Sequence, residues 1–122
     1  MSFVLGIDLG TTKSAAVILD TENLRPAAAS SMEHHASANV PPPCAEQDPV
    51  SILDTAFRLI ASFPAELRSS VAAVGVTGQM HSVMGWNRDG MVFPLITWQD
   101  RRTGGMTDSF SGRAGCELHE GF

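Results

Sequence analysis

No run of lysine or arginine breaks the acidic balance of this chain, where 8 basic residues stand against 13 acidic ones for a net charge of −5. Such a chain repels a phosphate backbone on average, so nucleic acid is not expected as a partner. A local phosphate site remains open, because it needs backbone N–H groups rather than net charge. Long apolar runs are missing too. Nothing approaches the roughly 20 residues of a membrane span, and Asp8 cuts the run Phe3 to Ile7 too short for a secretory signal. No membrane partner and a cytoplasmic location are therefore expected. Cysteine is scarce: Cys44 and Cys116 lie far apart and in no paired motif, so free thiols are expected. Cys116 and His119 have a metal-like spacing but no second pair, which argues against zinc. Internal repeats and low-complexity tracts are absent.

What is present fits one modest globular domain: 122 residues, 43% hydrophobic and 17% charged. Phe3 to Ile7 reads as a buried central strand. Gly10-Thr11-Thr12 is a turn, and Ser14 to Asp20 resumes a strand that must run antiparallel to the first, since a parallel return needs a long crossover. Ala27 to Met32 is a third strand candidate. His34 to Pro43 reads as loop, with His34 and His35 a solvated pair. Asp48-Pro49 supplies an N-cap and a proline at the first helical position. Ile52, Leu53, Ala56, Leu59 and Ile60 then fall at helical spacing, predicting an amphipathic helix from Pro49 to Ser62 that Pro64 ends. Val71 to Val76 predicts a second buried strand. Ser82 to Trp86 and Met91 to Phe93 flank an Asp89-Gly90 hairpin signal, and Leu95 to Trp98 reads as one more short strand. A helix after Asp100 is weakened by Gly104, Gly105, Gly112 and Gly115. This order predicts a mixed sheet whose first three strands form an antiparallel meander, with the helix on one face.

Three segments carry chemistry. In Gly6-Ile7-Asp8-Leu9-Gly10-Thr11-Thr12-Lys13-Ser14, Asp8 ends an apolar run, where a carboxylate must be solvated, paired or metal-bound. Gly10 lets the backbone present successive N–H groups to an anion, Thr11 and Thr12 add hydroxyls, and Lys13 adds a cation. A magnesium carboxylate beside phosphate donors is what nucleotide phosphoryl chemistry requires. An ordinary hairpin capped by Asp8 and Thr11 fits the same spacing. The segment Gly75 to Ser82 leaves a strand carboxyl end, where open α/β sheets place ligands. There Gln79 and His81 offer donors and acceptors and Met80 a soft apolar contact. In Thr97-Trp98-Gln99-Asp100-Arg101-Arg102-Thr103, Trp98 suits stacking on the carbon face of a sugar and Asp100 suits hydroxyls. A surface histidine, a core tryptophan and an N-capping Asp100 are the bland alternatives.

Gly6 to Ser14 resembles the first phosphate motif of the actin-like ATPases, which include sugar kinases and the large heat-shock chaperones. Gly-Gln-Met-His at 78–81 and Trp-Gln-Asp-x-Arg at 98–102 resemble the paired substrate signatures of the FGGY carbohydrate kinases. Ala45 to Pro49 looks like the segment that precedes that family's first long helix. The pattern is closer to the ketose branch, xylulokinase and sedoheptulokinase, with a slight lean to the latter, than to glycerol kinases, which carry a charged pair where Met80 and His81 stand. The resemblance runs from Gly6 to about Arg102 and implies an α/β, ribonuclease H-like (actin-like ATPase) fold, present as an incomplete domain. It implies ATP and Mg2+ as cofactors, with Asp8 near the metal through water and Gly10, Thr11, Thr12 and Lys13 near the phosphates. It implies a ketose or polyol substrate lined by Gln79, Met80, His81, Trp98 and Asp100, with Arg102 orienting that wall. His81 is not the expected general base, because the family uses an aspartate much further along the chain.

Members of that family are several times longer. Residues 1–122 are thus expected to be the N-terminal part of the first, sugar-binding domain, with the second, ATP-closing domain absent. No catalytic base is expected within the chain, and Asp108 reads as a surface residue. Little kinase activity is expected from this chain alone, because positioning and charge neutralisation need both halves of the clamp. Apolar sheet surface left open would favour a homo-oligomer. Two other classes compete: a catalytically dead sugar-binding fragment, and a chaperone-type ATPase, in which Gln79-Met80-His81 and Trp98 to Arg102 would have no role.

Overall fold

The computed structural model describes residues 2–106. In chain order these form β1 (Phe3–Leu9), β2 (Lys13–Asp20), β3 (Arg25–Glu33), β4 (Glu46–Gln47), α1 (Pro49–Ala61), α2 (Ala65–Ser69), β5 (Val71–Gly78), β6 (Val83–Asn87) and β7 (Gly90–Ile96). β1, β2 and β3 pair as the expected antiparallel meander, and β5 joins the other side of β1 in parallel, for the order β3-β2-β1-β5. The crossover from β3 back to β5 carries α1, as a parallel return requires.

Residues alternate along β2, with Ser14, Ala16, Ile18 and Asp20 buried and their neighbours only partly so. The inward row meets α1, which Asp48 starts by accepting a bond from the Val50 N–H at 3.0 Å. Phe3, Leu5, Ala16, Ile18, Leu59 and Phe63 make the core, with Ile18 and Leu59 almost wholly enclosed. The helix therefore covers one face of the sheet and leaves the other open.

Several elements differ from the sequence expectation. The strands form two sheets rather than one, because β6 and β7 pair with the short β4 in the order β4-β7-β6. Leu95 and Ile96 belong to β7 rather than to a separate strand. The register sets Pro94 and Leu95 opposite the single residue Met84, so the proline sits in a bulge where its missing N–H leaves no ladder bond unmade. β5 is not buried: Val74 is 57% and Val76 64% exposed, because it is the sheet's edge among the described residues. Leu53 turns away from the core at 47% exposure, its place at the interface being taken by Thr55. Pro64 ends α1 but also opens α2. His34 is buried at 6%, whereas His35 is exposed. After Asp100 the described chain is turns, with one helical residue at Met106. Asp108, Cys116, His119 and the remaining glycines lie outside the described residues. No described helix is long and apolar enough to cross a membrane.

Candidate functional site

The link from β1 to β2 is a tight hairpin in which the Gly10 N–H donates to the Lys13 carbonyl at 3.0 Å. A Cβ on Gly10 would stand 2.8 Å from that carbonyl oxygen, which no side chain tolerates. Substituting Gly10→Ala should therefore shift the turn and lower stability by about 1–3 kcal/mol, the usual cost of forced overpacking. Urea unfolding of the two proteins measures it. The N–H groups of Thr11 and Thr12 have no acceptor among the described residues, so two successive donors remain available. Asp8 lies on the open face of the sheet, in register with Ala15 on β2 and Thr77 on β5. Its exposed carboxylate has no partner among the described residues. With Lys13 it borders a groove of about 820 Å3 floored by small residues, including Gly6, Ala15 and Gly75.

The strand β5 delivers the second segment to the same place, because its parallel register with β1 brings Gly78 beside Leu9. The Gln79 N–H donates to the Leu9 carbonyl at 3.0 Å. From there the side chains close a ring. The Thr11 hydroxyl donates to Gln79 Oε1 at 3.4 Å, Gln79 Nε2 to Gln47 Oε1 at 2.8 Å, and Gln47 Nε2 to the Thr11 carbonyl at 2.7 Å. The Trp98 indole N–H joins it by donating to Thr11 Oγ1 at 3.1 Å. Every donor finds an acceptor in one consistent direction, which polarises the chain of bonds cooperatively. Trp98 is thus anchored by its nitrogen while 53% of the residue stays exposed, leaving an apolar ring face open to a ligand. All three sequence segments meet at Thr11.

The remaining residues divide. Met80 is 74% exposed and His81 is exposed with φ 55°, a left-handed conformation that few non-glycine residues adopt. No hydrogen bond ties the His81 ring to the rest of the site among the described residues. Asp100 is engaged already. Its carboxylate accepts from the Ala45 N–H at 2.7 Å, from the Arg102 N–H at 3.0 Å and from the Arg102 guanidinium at 2.7 to 3.0 Å. Arg102 also pairs with Glu46. Together they clasp the strand β4, which carries Gln47, to the segment that carries Trp98.

The Arg102 guanidinium, with help from the Ala45 and Arg102 N–H groups, holds the Asp100 carboxyl well below its ordinary range against the opposing effect of burial. Arg102 is held above its own range, by Asp100 first and then Glu46. The folded state therefore binds fewer protons at Asp100 than the unfolded chain does. Its contribution is fully present above the unfolded value of 3.8 and is lost as pH falls further. Thermal midpoints measured from pH 6 to pH 2 should decline below about pH 4, and Asp100→Asn should flatten that decline.

Two residues of this site were not expected from sequence. Gln47 sat in a segment noted for its likeness to the family, but nothing placed it opposite the hairpin. His34 was taken for a solvated loop residue, yet its ring lies 2.9 Å from the Gly10 carbonyl and its N–H donates to the Thr12 carbonyl at 3.1 Å. The signal for His34 is only its position just after an antiparallel strand whose register brings Glu33 beside Lys13.

Comparison with known proteins matches residues 3–117 to the N-terminal domain of the FGGY family of carbohydrate kinases. A glycerol kinase of Aromatoleum aromaticum is 36% identical over 114 residues, 88% of this chain and 22% of its own. A gluconate kinase of Lactobacillus acidophilus superposes with a TM-score of 0.75 at 26% identity, over 92% of this chain and 23% of that one. A ligand-bound xylulose kinase from the same organism gives 0.75 at 25% identity, over 93% and 23%. The chain thus spans between a fifth and a quarter of the length of the relatives it matches. With the β1–β2 hairpin, the indole and the glutamine ring gathered at Thr11 of an actin-like ATPase sheet, this chain belongs to the FGGY family of carbohydrate kinases.

Proposed function

We propose that residues 1–122 form the N-terminal part of the sugar-binding domain of an ATP-dependent kinase, which transfers the γ-phosphate of ATP to a terminal hydroxyl of a ketose. The observation that carries this reading is the hydrogen-bonded ring joining the hairpin to the sugar wall through Thr11. Phosphoryl transfer needs donor and acceptor held in line at short range. A rigid link between the two half-sites supplies that positioning.

The residues fit the implied nucleotide and metal. Gly10 lets the hairpin close, since a Cβ there would meet the Lys13 carbonyl oxygen at 2.8 Å, and the amides of Thr11 and Thr12 beside it have no acceptor among the described residues. Among the described residues no cluster of three metal-ligating side chains exists. Magnesium commonly uses one or two carboxylates with waters and phosphate oxygens. Asp8 is the carboxylate we assign to it, through water. When bound, magnesium would neutralise charge on the phosphates. Gly10, Thr11, Thr12 and Lys13 would bind the phosphates, with the Thr11 hydroxyl spent on the ring and its amide left for the anion. Gln79, Met80, His81 and Trp98 would line the sugar, and Asp100 with Arg102 would hold that wall in place. The proton of the attacking hydroxyl goes to a base that we assign to no described residue.

Met80 and His81, standing where glycerol kinases carry a charged pair, favour a ketose of the xylulose or sedoheptulose type. The identity to a glycerol kinase favours glycerol as a second reading. A chimera decides between them, with residues 1–122 replacing the matching segment of the Aromatoleum aromaticum glycerol kinase. ATP-dependent phosphorylation is then assayed over xylulose, sedoheptulose, gluconate and glycerol. Turnover of ketoses above glycerol supports the first reading, and glycerol alone the second. No turnover of any substrate by a folded chimera leaves the catalytically silent binding module.

The chain by itself should turn over none of these substrates at a measurable rate. It should also self-associate through the open sheet face and the β5 edge, where Val74 and Val76 lie exposed. Sedimentation velocity should show at least a dimer, and Val76→Lys should shift it toward monomer.

A further inference from the structure

Each carbonyl of the hairpin from Gly10 to Lys13 is held. Gly10 O faces His34 Nε2 at 2.9 Å, Thr11 O accepts from Gln47 Nε2 at 2.7 Å, Thr12 O accepts from the His34 N–H at 3.1 Å, and Lys13 O accepts from the Gly10 N–H at 3.0 Å. In a planar trans peptide the carbonyl of one residue points opposite to the N–H of the next. Fixing Gly10 O toward the histidine therefore aims the Thr11 N–H the other way, and fixing Thr11 O toward Gln47 does the same for Thr12. Neither of these two amides has an acceptor among the described residues. The free amides are a consequence of the held carbonyls.

His34 holds two of those carbonyls, one by its ring and one by its backbone. A carbonyl oxygen only accepts, so Nε2 must carry the proton. Nδ1 is buried with no partner among the described residues, and a second proton there would be left without an acceptor. We propose that His34, as the neutral Nε2–H imidazole, is the positioning residue of the phosphate hairpin: it turns the Thr11 amide toward the anion by holding the Gly10 carbonyl. It touches neither phosphate nor sugar. This inference rests on the reading of the hairpin as the phosphate site.

The test uses the 122-residue chain labelled with 15N. Long-range proton–nitrogen spectra should show Nε2 of His34 protonated and Nδ1 not. Titration with magnesium pyrophosphate should move the Thr11 and Thr12 amides to saturation. His34→Leu should weaken that binding about tenfold, as loss of one oriented donor would, while leaving the remaining amide spectrum in place. His34→Gln, which can still donate to the Gly10 carbonyl, should recover most of it. Should the leucine variant fail to fold, the tautomer and the glutamine variant still decide. Unchanged binding in His34→Leu, no recovery in His34→Gln, or a proton on Nδ1 overturns the inference. If the unsubstituted chain shows no shift at Thr11 or Thr12, the phosphate reading itself fails and takes this one with it.

Discussion

Replacing Gln47 by leucine is expected to lower the thermal midpoint of the chain by roughly 10 °C, although leucine is apolar and similar in size. Gln47 is 4% exposed and sits between two obligate partners, donating to the Thr11 carbonyl and accepting from Gln79 Nε2. Leucine restores neither bond. Each partner left unpaired in a buried setting costs about 1–3 kcal/mol. Gln79 is only partly buried and can turn to water, so the total should fall near 2–4 kcal/mol. The variant Gln47→Glu keeps the acceptor but sets a buried carboxylate oxygen against the Thr11 carbonyl, and should cost at least as much as leucine. A double substitution with Gln79→Leu should cost less than the sum of the singles, because the two side chains share one bond. Calorimetry on the five proteins, Gln79→Leu alone included, measures both effects. A midpoint shift under about 3 °C for Gln47→Leu would mean that the ring contributes little.

A second large effect is expected on catalysis and not on folding. In the chimera, Asp8→Ala should reduce kcat by at least about 100-fold, since a magnesium-binding carboxylate supports several kcal/mol of transition-state charge stabilisation. The same change should leave the thermal midpoint almost unaltered, within about 0.5 kcal/mol in stability. The physical reason is on the surface of the sheet: the Asp8 carboxylate is exposed and has no partner among the described residues. KM for the sugar should move little, because the glutamine ring and Trp98 are built without Asp8. Equal losses in stability and turnover would instead make Asp8 a structural turn residue, and unaffected turnover would remove it from the metal.

Much of this was legible in the chain, and what was not shares one cause. The β1–β2 hairpin and α1 follow from adjacent residues: glycine and threonines at the turn, Asp48-Pro49 at the helix start, apolar periodicity within it. The exposure of β5 was missed because an apolar run reads the same whether or not a neighbour covers it. Likewise Met91 to Phe93 and Leu95 to Trp98 read as separate strands until the register joins Met91 to Ile96 across a bulge at Pro94. Asp100 was read as a partner for sugar hydroxyls or an N-cap, and its bond to the Ala45 N–H depends on a residue 55 positions earlier. His34 and Gln47 carry no local signature at all. Their roles arise from partners 24 and 36 residues away.

The amino-acid order alone determined the local pieces: which segments extend, where they turn, and which three clusters bear reactive or recognising groups. It did so because backbone preference and hydrophobic period act over a few residues. Only the folded chain decided that Thr11 is where the clusters meet, since hydrogen bonds across the sheet join positions 68 and 87 residues apart. Spacing along a chain sets the reach of a side chain, and the pairing of strands sets what lies within it.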